Sequence, residues 1–164
     1  MSKPVKLNSM RVLEQNDVSY EVLQYPDDIT DAEEVAEALG LPYFTVYKTL
    51  IVQAVDRPDI SKPYIALIAS EDQLDMKKMA GAAGVKKVKL AAHKDAEALT
   101  GLKVGGISAL ALRDKQWPLY LDLPAADNQH IVMSAGLRGY QVRVPVIPFI
   151  NLFRVRLADL RADS

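Results

Sequence analysis

The chain has 164 residues, 49% hydrophobic and 25% charged, with a formal net charge of −1 and no cysteine. That length can bury roughly 70% of the unfolded surface around one core, and the near-neutral charge excludes nucleic-acid binding by bulk charge, leaving only a local patch. The absence of cysteine excludes disulfides, thiolate metal sites and a cysteine nucleophile. His93 and His130 have no His or carboxylate partner at metal-motif spacing, so neither a metal nor a cofactor is expected.

No apolar run approaches the roughly 18 residues that cross a bilayer, and Met-Ser-Lys-Pro at the start lacks the core of a signal peptide. A cytoplasmic protein with no membrane partner is expected. Residues 7–16 place Met10 and Leu13 at helical spacing, with Ser9 as a cap and Asn16-Asp17 as a stop. Residues 20–25 are β-prone and closed by Pro26, which suits an edge strand ending at Tyr25. Thr30-Asp31-Ala32-Glu33 fits a capping box, and Val35, Ala36 and Leu39 follow on one face until Gly40 and Pro42.

Val46-Tyr47-Lys48-Thr49-Leu50-Ile51-Val52 then reads as a buried strand with a cation at its entrance, running to Val55. A turn at 56–63 leads into a second apolar strand over 64–69, and the two read as a hairpin. Ser70 opens a helical stretch with Leu74, Met76, Met79, Ala80 and Ala83 on its apolar face, ended by Gly84. Residues 85–90 read as a strand, and residues 93–100 as a helix closed by Gly101. Strands follow at 117–123 and 131–133, and Tyr140, Val142 and Val144 alternate with Gln141 and Arg143 in a half-buried strand. An apolar helix at 149–153 precedes a tail, 162–164, expected to fray. About seven strands and five helices in irregular alternation give a mixed α+β class, one domain over 1–164, with helices packed around a mixed sheet.

Gly101, Gly105 and Gly106 fit neither the phosphate-loop nor the dinucleotide spacing. Ser108 follows two glycines, but Leu110 stands where a nucleophile elbow needs glycine, so Ser108 reads as a turn residue. Gly105-Gly106 is either a plain hairpin turn or a loop whose N–H groups face an oxyanion. Arg138, in Ser134-Ala135-Gly136-Leu137-Arg138-Gly139, is either a surface arginine or a reader of phosphate or carboxylate. Lys77, Lys78, Lys86, Lys87 and Lys89, with no acid between 76 and 94, form a solvated face or a nucleic-acid contact.

Val46-Tyr47-Lys48-Thr49-Leu50, Leu74-Asp75-Met76-Lys77-Lys78, Gly84-Val85-Lys86-Lys87-Val88, Gly105-Gly106-Ile107-Ser108 and the Ser134 to Gly139 loop recur together in one order and spacing. This set resembles the YbaK (YbaK/EbsC) family of aminoacyl-tRNA deacylases, free-standing relatives of the editing domain in bacterial prolyl-tRNA synthetase, over residues 7–153. The resemblance implies a central, mostly antiparallel sheet or barrel surrounded by helices. It also implies hydrolysis of mischarged tRNA, with Cys-tRNA(Pro) as the default and Ala-tRNA(Pro) or another small residue as the alternative. Lys48 becomes the essential lysine that holds the terminal adenosine or its phosphate. Gly105 and Gly106 become the backbone contact to the aminoacyl group, while Tyr25, Tyr47, Thr49, Ile107, Ser108, Ser134, Gly136 and Arg138 surround the substrate. Lys77, Lys78, Lys86 and Lys87 are expected to contact tRNA, and the resemblance names prolyl-tRNA synthetase as the candidate partner, without implying that one is required.

The chain departs from the family pattern at Ala109, Ala135, Leu137 and Gln141, the last standing where an acidic residue is common. No side chain is an evident general base, which leaves a water, a substrate thiol or a ribose hydroxyl as the attacking group. A non-catalytic RNA-binding module and a hydrolase of another small acyl ester are the competing classes.

Overall fold

The computed structural model describes residues 6–55 and 62–163. Most of the turn expected at 56–63 therefore lies outside the described residues. The elements run α1 (Asn8–Gln15), β1 (Glu21–Gln24), α2 (Ala32–Leu39), β2 (Tyr47–Ala54), β3 (Tyr64–Ala69), α3 (Met76–Ala83), β4 (Val88–Leu90), α4 (His93–Thr100), β5 (Leu119–Asp122), β6 (His130–Ser134), β7 (Tyr140–Pro145), α5 (Val146–Phe153) and β8 (Arg156–Ala158). Among the described residues there is thus one strand more than expected. β8 is three residues of mixed character, too short to show a period.

Two sheets carry the fold. The smaller has the order β1-β7-β6 and is antiparallel throughout. The larger has the order β4-β2-β3-β5-β8, antiparallel from β4 to β3 and parallel from β3 to β8. A parallel bridge between Val46 and Val132 joins the two where β2 begins. Tyr47 and Ile51 face a core shared with Met133 and Val142, while Val52 faces a second core with Met79 of α3. Burial on both faces is why Leu50-Ile51-Val52 at the centre of β2 is apolar without alternation.

Several local expectations shift for identifiable reasons. Asp31, not Thr30, caps α2, its carboxylate accepting from the Glu34 N–H at 3.2 Å. α3 begins at Met76 rather than Ser70, because Asp75 accepts from the Lys78 N–H at 3.0 Å and starts the helix there. Ser70 instead ties the hairpin to the preceding turn, its N–H donating to the Val46 carbonyl and its hydroxyl to that of Tyr43. Ser9 caps nothing: it is buried and donates to the Ala135 carbonyl at 2.6 Å, docking α1 on the second glycine loop. Of the tail expected to fray, Ala162 donates its N–H to the Gln73 carbonyl at 2.7 Å and Asp163 pairs with Lys78, while Ser164 lies outside the described residues.

Candidate functional site

The entrance of β2, the segment leading into α2, the turn after α4 and the facing ends of β6 and β7 enclose a cavity of about 370 Å³. Tyr47, Lys48 and Thr49 come from β2, Val104, Gly105 and Ile107 from the turn, and Ser134 and Gln141 from the small sheet. Residues almost a hundred positions apart therefore meet because the bridge at Val46 sets β2 beside β6.

Lys48 is half-buried, and burial pulls its ammonium below the ordinary lysine value, opposed by the charges of Asp31, Glu33 and Asp72. Among the described residues it has no ion pair. A desolvated cation without a partner costs stability, so its placement favours an anionic or polar ligand. Tyr47 is buried beside it, its phenol pushed up by burial with Asp122 and Asp72 adding to the effect.

Two buried side-chain atoms, Thr49 Oγ1 and Gln141 Oε1, have no hydrogen-bond partner among the described residues, and both residues line this cavity. Gln141 pairs across the ladder with Ser134 and points its amide nitrogen at the Tyr25 hydroxyl, 3.5 Å away. Strict alternation made Gln141 one of the polar residues of a half-buried strand. It is instead 5% exposed, because α2 covers that face of the small sheet. Ser134 Oγ accepts from the Gly136 N–H at 3.2 Å and shapes its own loop while lining the cavity.

The two glycines have separate duties. Gly105 has φ +89°, and a Cβ there would lie 2.8 Å from Thr30 Cγ2, so only glycine lets the turn close against the α2 segment. Gly106 donates its N–H to the Lys103 carbonyl at 2.7 Å, which closes the turn. Its donor is therefore committed within the chain, and of the two glycines only Gly105 lines the cavity. Gly106 borders a separate depression with Tyr25, Gly136 and Arg138.

Arg138 lines the separate depression and is tied to the turn. Its Nε donates to the Val104 carbonyl at 2.6 Å, while Glu97 on α4 accepts from the Val104 N–H at 2.8 Å, so the turn is gripped from both sides. Ser108 is fully buried and accepts from the Leu110 and Ala111 N–H groups at 3.1 and 3.4 Å. It thereby holds the first turn of the 3₁₀ helix Leu110–Lys115 from the position before its N-cap, Ala109, which is the turn role.

The lysine patch divides as well. Lys78 is held by Asp159 and Asp163, each at 3.2 Å, and donates to the Arg161 carbonyl. Lys77, Lys86 and Lys87 are exposed. Val55, at the far end of β2, donates its N–H to the Lys87 carbonyl, which sets Lys87 on the order of 20 Å along the strand from Lys48. The sequence did not single out Thr30, Asp31 and His93, which also line the cavity. Their positions depend on the packing of α2 and α4, which no local pattern encodes.

Together these features define a mixed α+β domain whose cavity sets a single unpaired lysine beside polar groups awaiting a ligand. Residues 26–148 match the model of the aminoacyl-tRNA editing domain, and the chain belongs to that family. It is a deacylase, a hydrolase of the ester that joins an amino acid to tRNA. EbsC of Enterococcus faecalis, a candidate Cys-tRNA(Pro)/Cys-tRNA(Cys) deacylase, is 36% identical over 157 residues, 94% of this chain and 93% of that protein. Two solved structures share the fold. Hypothetical protein APE2540 has a TM-score of 0.82 at 22% identity, covering 93% of this chain and 97% of that one. A candidate trans-editing enzyme for prolyl-tRNA synthetase has 0.76 at 21%, covering 97% and 100%. The expected mixed fold and family are thus both found.

Proposed function

We propose that the chain is a single trans-editing domain, acting in the cytoplasm, that removes cysteine from mischarged tRNA(Pro) made by prolyl-tRNA synthetase. The observation that carries this reading is Lys48, half-buried and without an ion pair among the described residues, beside the unpartnered Thr49 and Gln141 atoms. A lysine about 4 Å from a phosphate at a partly shielded site gains on the order of 4 kcal/mol of Coulomb attraction before desolvation. Lys48 accordingly anchors the 3′-terminal nucleotide, and the Gly105 backbone stabilises the oxyanion. Tyr47, Thr49, Ile107 and Ser134 shape the acyl pocket, Tyr25 supports it through Gln141, and Gly106, Ser108, Gly136 and Arg138 fix the loops beside it.

The substrate class follows from the name of the Enterococcus relative and from the cavity's free acceptor, Gln141 Oε1, which suits a thiol as donor. Alanyl-tRNA(Pro) is the alternative and leaves that acceptor unpaired. The cysteinyl thiol or a ribose hydroxyl serves as the attacking group. His93 lines the cavity and offers a base if water attacks instead.

The test is deacylation of tRNA(Pro) charged separately with cysteine, alanine and proline. Rapid loss of the cysteinyl ester with prolyl-tRNA spared is the expected result, and hydrolysis of prolyl-tRNA at an equal rate overturns the reading. A His93→Ala variant that keeps the cysteinyl rate supports attack by the substrate itself.

A further inference from the structure

A second cationic region lies outside the cavity and outside the lysine run. The 3₁₀ helix Leu110–Lys115, the start of β5 and the junction of α5 with β8 enclose a groove of about 540 Å³. Arg113, Arg154 and Arg156 line it with Trp117 and Phe153, Lys115 flanks it, and all four cations are exposed. Three of these cations sit over aromatic rings: Arg113 is 5.8 Å from the Phe153 centroid, Lys115 5.3 Å from that of Trp117, and Arg156 5.7 Å from that of Tyr120. Arg156 also donates to the Tyr120 hydroxyl at 3.1 Å. Among the described residues none of the four forms an ion pair, in contrast to Lys78, and Asp114 is the acid that borders the groove.

We propose that this groove binds the phosphate backbone of the tRNA substrate away from its aminoacyl end. A chain of net charge −1 can hold a polyanion only where its cations are concentrated and unneutralised. Planar guanidinium groups and ring faces side by side are the combination that tracks phosphates and stacks on bases, whereas a plain acidic peptide uses only the charge. The groove also adjoins the site: Ile51 lines the cavity, and its ladder partner Ile65 lines the groove. The proposal rests on the family's tRNA substrate and not on which amino acid is removed.

Trp117 is the only tryptophan in the chain, so its emission reports directly on the groove. With the intact protein and uncharged tRNA, the emission should change on binding, and affinity should fall with salt. In the double variant Arg113→Gln with Arg156→Gln, affinity should weaken by about tenfold or more and the salt slope should fall by about one to two. Hydrolysis of an aminoacyl ester on a short acceptor-end oligonucleotide should be unchanged in that variant. Because both arginines rest on rings, Arg154→Gln alone, at the one of the four cations that rests on no ring among the described residues, provides a second, less invasive variant, expected to shift affinity in the same direction. Unchanged tRNA affinity and salt slope in both variants, or unchanged Trp117 emission at saturating tRNA, overturns the proposal. If no ester is cut, the function proposed above fails, and the binding measurements still decide this one.

Discussion

Lys48 and Lys78 are both lysines beside acidic residues, and they end in opposite states. Lys78 is on the surface of α3, where Asp159 and Asp163 neutralise it, and solvent screens such pairs so that they add little to stability. Lys48 lies at a strand entrance, where burial lowers its affinity for a proton and Asp31, Glu33 and Asp72 act only through their charge. A charge whose partners are within the chain serves the fold. A charge that is desolvated and left unpaired is held ready for something the chain does not contain.

Breaking the cavity wall without touching its lysine should have the largest effect after loss of the lysine itself. Gly105→Ala forces a Cβ against Thr30 at a positive φ, so deacylation should fall by about 10²-fold. The melt should show a loss of about 1–3 kcal/mol. Thr30→Gly in the same chain should restore part of both. Gln141→Met removes the unpartnered acceptor and keeps the length, and it should bring the ratio of cysteinyl to alanyl deacylation down by about tenfold. Arg138→Ala frees the Val104 carbonyl and should raise KM severalfold with kcat less changed, since it loosens the turn and touches no reacting atom. Lys78→Ala should leave tRNA affinity unchanged within error, whereas Lys86→Ala and Lys87→Ala should each lower the salt slope slightly if the exposed part of the patch meets RNA.

What the sequence made legible divides along the same line. Elements with a period and a punctuating residue were readable: α4 runs His93–Thr100 before Gly101, and β3 runs Tyr64–Ala69, both as read from pattern alone. Lys48 stood out because a cation opens an otherwise apolar strand. Gln141 looked like a solvent-side residue because alternation describes one sheet and cannot see the helix laid over it. Ser108 reads as a turn residue from the missing glycine at 110, as its bond from the Leu110 N–H bears out, whereas Arg138 stays open between surface and ligand, and its bond to the Val104 carbonyl was not legible because the two are thirty-four residues apart. The arginine and tryptophan groove was invisible because its halves, near 115 and 155, lie some forty residues apart and meet through the parallel pairing of β5 with the unforeseen β8.

The decisive measurement is single-turnover deacylation of cysteinyl-tRNA(Pro) by the intact protein and by Lys48→Met, with thermal melts of both across pH. The variant should lose 10²-fold or more in rate while melting no lower than the intact protein near neutral pH. The folded-state value for Lys48 lies below the unfolded one, so its charge destabilises the folded protein at lower pH. That cost is relieved as pH rises between the two values, and the intact protein should gain on the variant there. A variant that folds as well as the intact protein and still cuts the ester at a comparable rate would contradict the role assigned to Lys48.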